Sequence, residues 1–380
     1  MSEFIPPDTP HVPDFLEDRG PAEYFHGRTK VLDNFGKLSK HTVQTRRGTT
    51  MLIQGAPGAG KTALLEEMAL DAMEKRWAVV KINFDDLYNP VHMAQTLGKP
   101  YISRKQTATK VDSKLLSIER IKEVAGDSSV SHVLERMESE QGVLLILDEA
   151  QYIGRFFNTP NELAVASTLN KLHNGELSRP VILLAAGLGQ TEEVFRLLGI
   201  SRFKGGCFVE LGALGKESER AVIQDWLVKE GEAKGDPAPW IDAIAQKTHG
   251  WPQHITAYGD AAAKQIQRDD GEMTPAGLEV VYQVGEGRRE AYYKQRAKGI
   301  SGKERCSLAR LIKNVTPGKG LHREDIEATL SQDYGDSDKA KSLFKKAVER
   351  GILHSQDELY SIPIPSMQNW LISNYTRERV

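Results

Sequence analysis

Residues 55–62 read Gly-Ala-Pro-Gly-Ala-Gly-Lys-Thr, a spacing that can hold a phosphate chain. Glycines at Gly55, Gly58 and Gly60 let successive backbone N–H groups turn inward on an anion that side chains would otherwise fend off. Ala56, Pro57 and Ala59 complete the loop. Ala63 falls in the first turn of the helix that follows, whose unsatisfied N–H groups point at the same anion. Lys61 can reach the β- and γ-phosphates, and the Thr62 hydroxyl can ligate Mg²⁺. The competing reading is a tight glycine turn between a strand and a helix. A second stretch, "VLLILDEAQ" at 143–151, ends an apolar run in two carboxylates. Asp148 would then stand at the carboxyl edge of a parallel sheet, where it can hold a metal ion through its water shell. Glu149 can polarise an attacking water and is assigned general base. The alternative is a carboxylate pair opening an ordinary loop. Together the two stretches imply ATP and Mg²⁺ as cofactors and hydrolysis of ATP as the reaction.

Such a site needs strands to deliver both loops to one edge. Apolar runs at 50–54, 77–84, 143–148, 181–187 and 207–211 alternate with helical patterns. Continuous apolar strands separated by helices predict an α/β core whose parallel sheet is covered on both faces. The polar stretch at about 85–142 is longer than one crossover requires and is expected to carry an insertion. Upstream, five of the 17 prolines fall within residues 1–21, so 1–23 reads as a proline-rich arm and the core as 24–214. Downstream, helical patterns at about 216–232, 238–249 and 253–268 predict a small all-α domain over 215–272. A linker helix over 273–300 follows. Three helices, a hairpin and a last helix over 301–380 look like a winged-helix domain.

A net charge of −2 gives no whole-molecule attraction for nucleic acid or anionic membrane, so any basic surface must be local. Cys207 and Cys306, the two cysteines, lack metal-ligand spacing and argue against a disulfide framework. With no signal-peptide layout and no apolar run near 18 residues, the expectation is a cytoplasmic protein with no membrane association.

"YFHGRTKVLDNF", "MLIQGAPGAGKTALL", "VLLILDEAQ", "VILLAAGLGQTEEVFRLLGISRF" and "FVELGALGKESERAVIQDWL" follow one another in an order that resembles the AAA+ P-loop ATPases. The likeness covers roughly residues 24–265. It is nearest to the branch holding the origin-recognition initiators, the transposition ATPases and the STAND-like signalling NTPases. It implies that the all-α domain is a lid over the nucleotide. It further implies that Gly27 and Arg28 lie beside the adenine, and that Arg202 is an arginine finger acting on a neighbouring subunit's ATP, with Arg196 the rival candidate. Gln190 and Thr191 are weak candidates for the polar sensor after the fourth strand. Initiators often carry a second sensor arginine in the lid, but this chain has "THGWPQHI". There Gly250, Trp251 and Pro252 resemble the G-x-P signature of the signalling branch, with Pro252 placed to hold the lid against the nucleotide. A helix start with a packing tryptophan explains the same residues.

Two regions could meet double-stranded DNA. On "SDKAKSLFKKAVERG" in the winged helix, Ala340, Leu343, Phe344 and Ala347 share a core face, while Lys341 and Lys345 lie opposite. Residues 301–380 nevertheless hold 13 Lys/Arg against 11 Asp/Glu. Residues 99–122 hold seven Lys/Arg against two Asp/Glu, although a solvated excursion packed by its own leucines and isoleucines fits as well. Two functions follow. One is an ATP-driven, self-associating switch that assembles on or loads DNA-bound machinery. The other is a STAND-like nucleotide-gated adaptor whose winged helix binds a protein partner.

Overall fold

The sheet of the core is built from the five apolar runs, and its strand order decides where chemistry can occur. The computed structural model describes residues 24–98, 129–136, 139–200, 203, 205–313, 319–356 and 358–376. These form two compact units, 26–214 and the residues from Gly215 onward, with Tyr24 and Phe25 grouped with the latter.

In the first unit, helix α1 (Thr29–Thr45) leads into β1 (Thr49–Gly55), and α2 (Lys61–Glu74) follows the glycine loop. Next come β2 (Ala78–Lys81), a 3₁₀ turn (Phe84–Leu87), α3 (Pro90–Leu97), α4 (Val130–Glu135) and β3 (Val143–Leu147). A second 3₁₀ segment (Ala150–Phe156), α5 (Glu162–Asn174), β4 (Val181–Gly187), α6 (Thr191–Leu197) and β5 (Phe208–Leu211) complete it. All strand pairs are parallel, in the order β2-β3-β4-β1-β5. β1, β3 and β4 are buried at every position, as expected for strands covered on both faces. Gln54 pairs with Gly187 and Leu147 with Ala185, so the carboxyl ends of β1, β4 and β3 lie side by side.

The long β2–β3 connection belongs partly to this core. Met93, Ala94 and Leu97 of α3 and Val130, Val133 and Leu134 of α4 are buried in one cluster with β3 and β4. The basic stretch 99–122 and the arm 1–23 lie outside the described residues.

The second unit opens with α7 (Lys216–Asp225), which runs into one π-helical turn (Trp226–Glu230), then α8 (Ala238–Thr248) and α9 (Pro252–Arg268). The long α10 (Pro275–Arg296) follows. Beyond it come α11 (Gly302–Lys313), β6 (Leu321–His322), α12 (Arg323–Tyr334), α13 (Ser337–Glu349), β7 (His354–Gln356), β8 (Leu359–Ser361) and α14 (Pro365–Tyr375). The strands form an antiparallel sheet in the order β6-β8-β7. Two-residue β6 has no period to read from sequence and becomes visible only by pairing with β8. The expected core face of α13 is buried at Ala340, Leu343, Phe344 and Ala347.

The parts of this unit are joined by a buried polar tie. The Tyr293 hydroxyl of α10 lies 3.1 Å from His254 Nε2 of α9 and 2.7 Å from Ser366 Oγ of α14. The Tyr293 ring also packs on Trp370, with ring centroids 5.6 Å apart. Among the described residues no helix is long and apolar enough to cross a membrane.

Candidate nucleotide site

The loop after β1 is shaped by backbone conformations that glycine adopts freely. Gly58 and Gly60 have φ of 78° and 89°. Gly60 is the N-cap of α2, and no side chain caps that helix. A helix start so arranged directs backbone N–H groups into the loop, an anion site by construction. Lys61, buried, turns back over the loop, and its Nζ donates to the carbonyls of Gly55 at 2.9 Å and Ala56 at 3.2 Å. Those are weak partners for an ammonium, and phosphate oxygens would be stronger ones.

The second half arrives from β3. Thr62 Oγ1 donates to Asp148 Oδ2 at 3.0 Å, uniting side chains 86 residues apart. A hydroxyl beside a carboxylate is a hard oxygen donor set suited to Mg²⁺, which takes few protein ligands and keeps several waters. The residues present therefore fit a nucleotide phosphate with Mg²⁺. Glu149 follows in the left-handed region, with φ 54° and ψ 37°. Its N–H donates to Asp148 Oδ1 at 2.9 Å, while its exposed side chain accepts from Gln151 Nε2 at 2.5 Å. Left-handed backbone at a glutamate is uncommon, and here it sits on the residue assigned to activate water.

Arg28 enters from the start of α1, again left-handed at φ 59°. Its Nη2 donates to the carbonyls of Gly212, just past β5, at 2.5 Å and Ala59 in the loop at 3.4 Å. Burial holds this guanidinium below its ordinary value. The structure thus brings Arg28, the loop, Thr62, Asp148 and Glu149 to one edge of the sheet.

Other expected residues stand apart. Arg202 lies outside the described residues, and Arg196 is exposed in the last turn of α6. Thr191 is buried, and its hydroxyl donates to the Leu188 carbonyl at 2.5 Å, whereas Gln190 is the N-cap of α6. Pro252 belongs to the second unit, at the first turn of α9. There His249 and Gly250 are left-handed in succession at φ 50° and 74°, and buried Glu219 accepts from Thr248 Oγ1 and Gly250 N, each at 2.5 Å.

Two glutamines escaped the sequence reading. Gln54 Oε1 accepts from Glu192 N at 3.0 Å, and Gln151 Oε1 accepts from Leu188 N at 3.1 Å. The available signal was position, since each stands at or just past the end of an apolar strand, where buried polar groups need partners.

Comparison with known proteins agrees with this fold. The family profile described as AAA ATPase domain matches residues 24–183. A Walker-type ATPase of Pyrococcus abyssi is similar in structure, with a TM-score of 0.54 at 14% identity over 93% of this chain and 98% of that one. The ORC2 protein of Aeropyrum pernix, solved as ADPNP–ADP complexes, gives 0.53 at 13% identity, over 94% of each chain. A search of curated proteins finds no match. The fold is that of an AAA+ P-loop NTPase.

Proposed function

From an AAA ATPase domain on this fold, we propose that the chain is an ATP-hydrolysing, self-associating molecular switch that assembles on or loads DNA-bound machinery, in the cytoplasm. The observation that carries hydrolysis is the Thr62–Asp148 contact beside the phosphate loop. In this reading the loop N–H groups and the start of α2 hold the phosphates. Lys61 would exchange the Gly55 and Ala56 carbonyls for β- and γ-phosphate oxygens. Thr62 and Asp148 hold Mg²⁺, which when bound neutralises charge on those oxygens. Glu149 takes the proton from an attacking water. Arg28 contacts the nucleotide, and Arg202 serves the ATP of a neighbouring copy.

The DNA part rests on the basic stretch 99–122 and on reading α11 to β8 as a winged helix with α13 as its groove-facing helix. Support for that reading is the order helix, strand, helix, helix, hairpin, with Lys341 and Lys345 exposed. Binding of this kind would be mostly to phosphates and would weaken steeply with salt.

A second reading has its own observation. On α13, Lys339 pairs with Asp336 at 3.3 Å, Lys345 with Glu349 at 3.8 Å and Lys346 with Glu304 at 2.9 Å. Lysines neutralised within their own domain favour a protein partner and a STAND-like adaptor.

The test is ATP turnover by the full chain, with and without duplex DNA, at low and moderate salt, beside Glu149→Gln. That substitution is expected to retain ATP binding and reduce turnover by roughly a hundredfold or more. DNA stimulation that fades with salt supports the loading function. Turnover indifferent to DNA at both salts moves the assignment to the adaptor, and normal hydrolysis by Glu149→Gln removes it from the base role.

A further inference from the structure

We infer that Gln151 is the positioning residue for the Glu149 carboxylate, and that it ties this group to the end of β4. The inference rests on Glu149 being the base. Three observations carry it. First, the Gln151 amide is used at both ends, with Nε2 donating to Glu149 Oε2 at 2.5 Å and Oε1 accepting from Leu188 N at 3.1 Å. Second, Gln151 is 8% exposed, whereas Glu149 is exposed, so the buried partner is the fixed one and the carboxylate is the group being held. A planar amide that has already spent its oxygen on a backbone N–H presents its nitrogen along a set direction. Third, the last residue of β4 is Gly187, and a Cβ there would stand closest to Thr191 Oγ1 and 2.7 Å from Gln151 Oε1. The strand end therefore leaves space that the Thr191 hydroxyl and the Gln151 amide share.

The sheet order explains why the tie matters. β4 lies between β1, which carries the phosphate loop, and β3, which carries the acid pair. A side chain at the end of β4 would stand between the phosphate loop and the acid pair. Here that position is a glycine, and Thr191, the nearby hydroxyl, is committed to the Leu188 carbonyl. Gln151 supplies the link instead. It reaches from the segment after β3 to the backbone just past β4 and holds the base on the way. The left-handed backbone at Glu149 makes the restraint necessary, because the carboxylate stands exposed on a turn and Gln151 is its side-chain partner among the described residues.

Conservative substitutions separate the two ends of the amide. Gln151→Glu keeps an acceptor for Leu188 N–H and removes the donor to Glu149. Gln151→Met keeps the length and removes both. Gly187→Ala leaves Gln151 intact but crowds its oxygen and, more closely, the Thr191 hydroxyl. All three are expected to lower kcat about tenfold or more while KM for ATP stays within about twofold, since positioning acts on the chemical step. Joined to Glu149→Gln, Gln151→Glu is expected to slow the residual turnover no further, because the group it holds is already gone. Gln151→Glu and Gln151→Met both retaining kcat, or lowering kcat and ATP affinity together, would overturn the inference. So would a further tenfold loss in the double substitution. Should a Gln151 variant fail to fold, Gly187→Ala joined to Thr191→Ala, which removes the closer clash, decides, and normal kcat there is also contrary. Normal turnover by Glu149→Gln alone would instead strike the base assignment, a separate failure. Inert Glu149→Gln beside active Gln151 variants strikes only this one.

Discussion

The two units use their polar side-chain contacts to opposite ends. In the unit 26–214, polar side chains from distant segments converge on one sheet edge: Lys61 on the loop carbonyls, Thr62 on Asp148, Gln151 on Glu149. Their partners are modest, and several are groups that an arriving phosphate or metal ion would replace with stronger ones. In the unit from Gly215 onward, the buried polar groups join one helix to another. Tyr293 bridges His254 and Ser366, Glu219 fastens the turn before α9, and Arg288 donates to Asp260 at 2.6 Å. Those contacts have no replacement in prospect. The contrast teaches that a polar network is informative about function chiefly when its members are provisionally partnered. A network that ties one helix to another serves the integrity of the fold.

That contrast is open to attack, beginning where the effect is greatest. Lys61→Ala is expected to reduce turnover on the order of 10³-fold, through loss of charge at the phosphates, with little change in thermal midpoint. A large drop in midpoint instead would place Lys61 among the structural groups. In the other unit, pH should act on stability. Desolvation, and then the charge of Arg289, push His254 down to about 3 from an ordinary 6.5. The unfolded chain therefore binds the extra proton, so stability is fully present above about 6.5 and falls as the pH drops toward 3. The expected slope is up to about 1.4 kcal/mol per pH unit. Denaturant titrations from pH 7 to 4.5 check this, and His254→Gln should flatten the profile. Tyr293→Phe removes both ends of the tie and should cost about 1–2 kcal/mol. Tryptophan fluorescence reports it well, because Trp226, Trp240, Trp251 and Trp370 all belong to this unit and only Trp77 to the other. Smallest of all, Lys345→Ala breaks an exposed 3.8 Å pair and should change stability by less than about 0.5 kcal/mol. The same variant in a DNA-binding titration asks whether that face of α13 has an external partner.

Much of this could be read from sequence because the relevant physics is local. Each of the five apolar runs became a strand within a few residues, since a strand covered on both faces has no polar positions to obscure it. The loop residues and Asp148 were legible because glycines, an adjacent lysine and threonine, and a carboxylate ending an apolar run are each visible in a short window. Gln151 was passed over although it is the next polar residue after Glu149. Its importance depends on Leu188 and Gly187, which reach it only through the order β3-β4-β1. The same holds for Glu219, whose task is defined by a turn 29 residues further on. Strand β6 was missed because pairing alone makes it a strand. The helices from α7 to α14 were anticipated from their 3.6-residue period, whereas the Tyr293 tie among three of them has no sequence signature.

That tie bears on how the chain can be cut. A truncation after residue 300 looks inviting, since α11 begins at Gly302 and a helical bundle would remain. Yet Tyr293 is 1% exposed, and its cover includes Trp370 and Ser366. Removing them would leave a large aromatic ring facing water and a phenol with one partner fewer, on the same helix that supports α9. Shortened versions ending there should therefore be sticky and prone to self-associate through a surface the intact chain keeps covered. Modularity in this molecule stops at Gly215: from there onward, helices α7 to α10 and the C-terminal helices are best handled as a single part.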